Sequence, residues 1–334
     1  MPVVFEDAHL QVIHAPGSTD YAVAAFNTRD TRANGSTFFG RPIHEKYGVE
    51  FFGFVSRAAN WYPAASVAAA AAAIRPLRRK PLIGYGHSQG GYAVLKHARR
   101  LDLVGGVASG PQFSIDPAEG LEDSRFTQHF DPALHRDMRI RAEELQGRLV
   151  LAYDPCFRPD VAHVAPILAL SPAIEPLRLP YMHHRTVQVL SPRAVLMPLW
   201  EAILSGGPVA PAARVARQAR RQSRQYTLYL SRALLPRRPA LAARLLERME
   251  LAGLKPDQLR DQGLCWAVPG WRWASPPRRW RSSGGCRRTG RTAWSSRARR
   301  RGRRRRGSAW RGAPAEPGAA ARAPAARRPV QNRS

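Results

Sequence analysis

The octapeptide GYGHSQGG at residues 84–91 constrains this chain more than any other feature. It contains G-x-S-x-G at Gly86, Ser88 and Gly90, preceded by a run of strand character at 81–86 and followed by a helical run at 90–100. Where a strand turns directly into a helix at a serine, only small residues fit two positions either side of it. The serine is then held in a strained backbone conformation with its Oγ projecting above the sheet. The next amide, Gln89 N–H, points toward a developing oxyanion and is helped by the helix N-terminus. Such a turn needs a sheet beneath it and a helix after it. Ser88 is therefore the candidate nucleophile of an α/β protein.

The surrounding sequence supplies both elements. Strand-type runs at 3–5, 10–14, 21–26, 49–55, 81–86, 103–108, 148–153 and 177–180 alternate with helical runs at 64–80, 90–100 and 161–170. Residues 27–40, with Asn34-Gly35, read as loop, and 110–145 as a long loop holding one or two helices. The alternation predicts a mainly parallel sheet with helices on both faces, spanning residues 1–190. From 191 to 265 the strand signal is lost. Leu, Ala and Arg recur at helical spacing there, as at 226–235 and 240–252, which predicts a helical appendage. Its arginines read as a solvated face in preference to a nucleic-acid surface.

The formal net charge is +29, and nineteen of those charges fall in residues 266–334, where twenty arginines face one acid, Glu316. That stretch has no Leu, Ile, Met, Phe or Tyr. It cannot bury enough surface to offset chain entropy, so disorder is expected. One reading is a tail for nucleic acid or an anionic membrane, built on 297–306. The other is a (G+C)-rich gene read out of frame past Cys265, which the absence of lysine and of large aliphatics other than valine favours. Cys156, Cys265 and Cys286 form no CxxC and no even set, which suits a reducing compartment. No basic-then-apolar leader is evident, and the run at 64–74 is too short to span a bilayer, so a cytoplasmic protein is expected.

GHSQGG resembles the nucleophile turn of esterases, lipases and thioesterases of the α/β-hydrolase superfamily. VASGPQFSIDP at 107–117 and Asn60-Trp61-Tyr62 further resemble a bacterial subgroup with an S-P-Q-x-S-I-D-P segment after the next strand. The resemblance covers residues 3–190 well and 191–262 loosely; the tail matches nothing. Gly110 departs from that pattern, and no catalytic consequence is attached to it.

A nucleophilic serine needs a base, and the base an orienting carboxylate. In this superfamily the order along the chain is serine, acid, histidine. The strand at 148–153 runs at once into Asp154, the preferred acid. Asp160, in the same loop, is the alternative, with an N-cap role for the helix beginning near 161 as its plain structural use. His184, after the short strand at 177–180, is the preferred base and His183 the second choice; the pair resembles the family's Gly-His, with His183 in the glycine position. His163 reads as solvent-facing or packed, and His87 as packed. The second oxyanion donor is expected after the strand at 21–26, from the N–H of Asn27 or Thr28. Trp61 and Tyr62 could line an acyl pocket, although aromatics in that place are more often core. No histidine pair has metal-ligand spacing, no phosphate-binding loop is present, and the glycines at 84–91 are not a dinucleotide fingerprint, so neither metal nor cofactor is expected.

The implied function is hydrolysis of a small-molecule ester or thioester through an acyl-enzyme on Ser88. Two alternatives stand beside it: acyl transfer to a carbohydrate or lipid acceptor, and a non-catalytic scaffold.

Overall fold

The computed structural model describes residues 1–249. The end of the region at 191–265, the last residues of the helix expected at 240–252, Cys265, Cys286 and the arginine-rich segment lie outside the described residues. Eight strands form one sheet: β1 (Val3–Glu6), β2 (Leu10–Ala15), β3 (Ala22–Phe26), β4 (Glu50–Ser56), β5 (Leu82–His87), β6 (Gly105–Ser109), β7 (Arg148–Tyr153) and β8 (Glu175–Arg178). Their order is β1-β2-β4-β3-β5-β6-β7-β8. β1 pairs antiparallel with β2, and β2 antiparallel with β4; β3 to β8 are parallel. The protein is thus α/β with a mostly parallel sheet.

Side chains along the strands alternate between two faces, as a period of two requires. Phe52 and Phe54 of β4 join one hydrophobic cluster, with Leu10, Val12 and Phe26, while Phe51 and Val55 join the other, with Ile13 and Val23. The first face is covered by α2 (Ala64–Ile74), α3 (Gln89–Lys96) and α5 (Arg158–Leu170), through Val67, Val94 and Val164. On the second lie α1 (Arg41–Tyr47), α6 (Val187–Leu190), α7 (Arg193–Ser205) and α8 (Ala210–Gln222). A short helix, α4 (Pro132–His135), lies in the long loop after β6, and α9 (Arg224–Leu234) and α10 (Pro239–Glu247) follow α8.

The helices after residue 190 are more than an appendage. Leu196, Leu199 and Trp200 of α7 are at most 1% exposed, in the same cluster as the sheet. Each such side chain contributes about 1.5–3 kcal/mol on burial. Trp200 packs edge-on against Tyr21, Phe51 and Tyr85 of the sheet side, so α7 is part of the same core. Element ends also differ from the sequence expectation. α2 stops at Ile74, six residues before residue 80: Arg75 still has helical dihedrals and bonds Ala71 O, but Pro76 has no N–H with which to continue the ladder. α5 begins at Arg158, three residues earlier than expected, which puts Asp160 in its first turn. Because β3 to β8 run the same way, the loops after β3, β5, β6, β7 and β8 gather at one edge of the sheet, where ligands of open parallel sheets bind.

Candidate active site

Ser88 stands between β5 and α3 with φ 56° and ψ −123°, a left-handed conformation that a non-glycine residue rarely adopts. Its N–H donates to Ser109 O at 2.9 Å, and its carbonyl accepts from Tyr92 N–H at 2.9 Å. A Cβ on Gly86 would lie 2.3 Å from Gly90 O, and one on Gly90 would lie 2.3 Å from Phe26 O. The motif's two glycines are therefore required by close backbone approach.

His184 sits on a short 3₁₀ turn (His183–Arg185) after β8. Its Nε2 is 2.9 Å from Ser88 Oγ, and its Nδ1 is 2.8 and 3.0 Å from the two Asp160 oxygens. An ionised carboxylate can only accept, so Nδ1 carries the proton and Nε2 is left to receive the serine O–H. Asp160 lies in the first turn of α5 with its side chain 1% exposed. Burial alone would raise its pKa, but the facing His184 and the Arg125 guanidinium outweigh that and hold it below the usual carboxylate range.

A polar chain continues behind Asp160. Arg125 Nη2 donates to Asp160 Oδ1 at 2.8 Å and to Asp123 Oδ2 at 2.6 Å, with Nε 2.9 Å from both Asp123 oxygens. Asp123 Oδ2 accepts from His163 Nε2 at 3.2 Å, and His163 Nδ1 accepts from Phe113 N–H at 3.3 Å. Burial would raise the pKa of Asp123 as well; the bonds from His163 and Arg125 keep it well below the ordinary value. His163 is thus packed, with its tautomer set by one backbone amide.

Asp154, the acid preferred from sequence, does not face His184. Its Oδ1 accepts from Cys156 N–H at 2.8 Å, and its Oδ2 accepts from Met182 N–H at 2.8 Å and His183 N–H at 2.6 Å. The carboxylate directly after β7 meets the returning chain after β8 and is occupied by its amides. Asp160, six residues further on, is carried by the first turn of α5 to the histidine. Nor does Asp160 cap that helix, since the N-cap position belongs to Phe157. His183, the second choice as base, stacks its ring between Phe157 and Tyr229.

Asn27 is also displaced from its expected role. Its N–H continues the sheet ladder to Phe54 O at 3.1 Å, and its Oδ1 accepts from Phe39 N–H at 2.8 Å. Thr28, the next residue, lines the cavity over Ser88. Gln89 uses its side chain to brace neighbours: Oε1 accepts from Trp61 N–H at 3.3 Å and Nε2 donates to Ser56 Oγ at 2.8 Å. Its own N–H opens α3, where no intrahelical acceptor exists.

Trp61 and Tyr62 are core. Both are 1% exposed and both have positive φ, 46° and 53°. They are fixed by Trp61 Nε1–H donating to Gln112 Oε1 at 3.0 Å and by the Tyr62 hydroxyl between Asn27 O and Phe54 O. The cavity has a volume of about 450 Å³ and is lined by Thr28, Arg29, His87, Arg125 and Phe126 as well as Ser88 and His184. The His87 ring lies 4.9 Å from that of His184. Burial, reinforced by His184, pushes its pKa down to about 3, so the ring is neutral and donates from Nδ1 to Ser109 O at 3.0 Å.

Three contributors were missed from sequence: Arg125 and Phe126, and Gly110 as a contact of His184. A Cβ on Gly110 (φ 51°) would lie 3.1 Å from His184 Nδ1 and 3.3 Å from Asp160 Oδ2. The departure from the S-P-Q pattern at Gly110 was the visible signal. Among the described residues no group of three or more His, Cys, Asp or Glu could hold a metal ion, and no helix is long and apolar enough to cross a membrane.

No protein-family model matches the sequence, and no curated protein matches it. Solved structures overlap with it at low identity. The capsule O-acetyltransferase of Neisseria meningitidis serogroup A aligns at 10% identity and TM-score 0.40, over 53% of this chain and 85% of that one. The Pyrococcus furiosus esterase Pf2001 aligns at 17% and 0.38, over 57% and 85%. An acylaminoacyl peptidase from Pyrococcus horikoshii aligns at 11% and 0.44, over 61% of this chain and 41% of that one. Overlap of this degree does not extend to activity, and the case for chemistry rests on the side chains around Ser88.

Proposed function

We propose that the chain is a serine hydrolase of the α/β-hydrolase type that cleaves a small-molecule ester or thioester, with Ser88 as nucleophile, His184 as base and Asp160 as the orienting acid. The observation that carries this reading is the unbroken contact from Ser88 Oγ to His184 Nε2 at 2.9 Å and from Nδ1 to Asp160 at 2.8 Å, at a left-handed strand-to-helix turn. A serine, an imidazole and a buried carboxylate in that order are what general-base activation of a hydroxyl requires.

As the Ser88 oxygen attacks the carbonyl carbon, His184 Nε2 takes its proton. Asp160 keeps the imidazole in the required tautomer and stabilises the imidazolium. The tetrahedral oxyanion is held by the N–H groups of Gln89 and Thr28; one such donor is typically worth about 3–4 kcal/mol. Collapse of the intermediate expels the alcohol or thiol, which receives the proton from His184, and leaves Ser88 acylated. Water, deprotonated by the same imidazole, attacks the acyl-enzyme and releases the acid. A cavity of about 450 Å³ suits a small ester better than a polymer.

The test is covalent labelling of the full chain with a fluorophosphonate. Wild type should be labelled on Ser88 and Ser88→Ala should not. Equal labelling of the two would remove the assignment.

A further inference from the structure

The ring of His183 lies between two others. Phe157 is stacked on one neighbour distance of 4.6 Å with planes 12° apart, and Tyr229 on another of 3.6 Å with planes 10° apart. The Arg125 guanidinium in turn lies over the Phe157 ring, 5.0 Å from its centroid. This column joins three parts of the molecule that the chemistry needs in register. His183 is adjacent to the base. Phe157 precedes α5 and its carbonyl accepts from Asp160 N–H at 3.1 Å. Arg125 bonds the acid itself. Tyr229 comes from α9, far along the chain.

We propose that Phe157, His183 and Tyr229 act as positioning residues that set base and acid together, and that α9 thereby belongs to the catalytic apparatus. The inference rests on the Ser88–His184–Asp160 reading. Its first support is conformational. His183 has φ 49°, and a side-chain-bearing residue persists in that region only where its surroundings over-determine it. Here they do: Asp154 accepts the His183 N–H, and two rings clamp the imidazole. The backbone so fixed aims the next side chain, His184, at Ser88.

The second support is the way α9 and α10 pack. Leu228, Tyr229, Leu246 and Met249 form a hydrophobic cluster of their own, separate from the two on the sheet, with Tyr181 packed against it. Tyr229 belongs to that cluster and is 7% exposed, yet its ring reaches the loop of the base. A cluster that had only to bury itself would not need a ring 3.6 Å from His183. Rates of transfer between serine and imidazole depend steeply on their separation, so loosening this column should act on turnover.

The experiment measures hydrolysis of p-nitrophenyl acetate and the rate of fluorophosphonate labelling on the full chain. Tyr229→Ala should lower kcat about 10- to 100-fold with little change in KM, since a misplacement of roughly 1 Å costs up to about 10²-fold. Tyr229→Phe, which keeps the ring, should restore most of the rate. Phe157→Ala, at a half-buried position, should act in the same direction, and the double variant should fall short of the product of the two. Phe157→Ala alone also gives an independent reading if Tyr229→Ala fails to fold. Wild-type turnover in Tyr229→Ala, or in Phe157→Ala where the other does not fold, would overturn the proposal. So would equal losses in Tyr229→Phe and Tyr229→Ala, or full additivity. If wild type is not labelled at all, the nucleophile assignment falls and this inference with it; labelled wild type with an unaffected Tyr229→Ala removes the positioning role alone.

Discussion

The turn after β5 and the loop after β7 meet at the same imidazole but hold their side chains by opposite means. At the turn, backbone presses on backbone: Gly86 against Gly90, Gly90 against Phe26, with Ser88 N–H bonded to Ser109 O. In the loop, charge does the holding. Asp154 gathers three amides, and Asp160 is shared between His184 and Arg125. A position fixed by close backbone approach is intolerant of a single added carbon but indifferent to protonation. One fixed by ionic bonds tolerates an isosteric change of shape and fails when its charge is removed. The two loops should therefore break under different substitutions.

The largest effect is expected from Asp160→Asn. It preserves shape but frees His184 to adopt the wrong tautomer, and kcat should fall on the order of 10³–10⁴-fold, with a smaller loss of melting temperature from the weakened bond to Arg125. Steady-state kinetics beside a thermal melt will read both. Gly90→Ala should do the reverse at the turn. Its Cβ would meet a carbonyl oxygen that cannot yield, so about 3 kcal/mol of stability should be lost, measurable by urea denaturation. Asp154→Asn sharpens the contrast within the loop, because an amide nitrogen cannot accept from the amides it would face. A loss of about 2 kcal/mol is expected, with kcat reduced far less than in Asp160→Asn. Were Asp154→Asn the more damaging to turnover, the division of labour between the two aspartates would be wrong.

The broadest test of the contrast is pH. Burial pushes His87 and His97 down to about 3, the neighbouring His184 and Arg100 adding to it. In the unfolded chain both titrate near the ordinary value of about 6.5. Between those limits the unfolded state binds more protons, so stability is fully present above pH 6.5 and declines as pH falls toward 3. The depressed carboxyls of Asp123 and Asp160 contribute a similar loss only below about pH 4. Melting temperatures should thus begin to fall near pH 6, ahead of any carboxylate titration, and His97→Gln should flatten that slope. A flat profile from pH 7 to 5 would count against the buried neutral pair.

The turn was legible in the sequence because its constraint is local: Gly86, Ser88 and Gly90 act within one strand-to-helix step. That a histidine after the last strand would approach Ser88 was legible from the position of His184. Which aspartate would face it was not, because Asp154 and Asp160 lie six residues apart and are equivalent on local terms. What separates them is the start of α5 at Arg158 and the arrival of the amides of Met182 and His183 from another strand. Asn27 was misjudged because the parallel ladder extends one residue past β3 and takes its N–H. The helical character after residue 190 was readable from spacing, but the seating of Trp200 on the sheet depends on partners more than a hundred residues away.

The sharing of one guanidinium between two carboxylates has a consequence for release. Asp123 and Asp160 are both ionised and share Arg125, which places carboxylate charge in excess of that one guanidinium beside the imidazole. That excess favours the imidazolium at the moment it forms. An acid set free at Ser88 sheds its proton and, as an anion, faces the Arg29 and Arg125 guanidiniums that line the cavity, so its departure has to break their attraction.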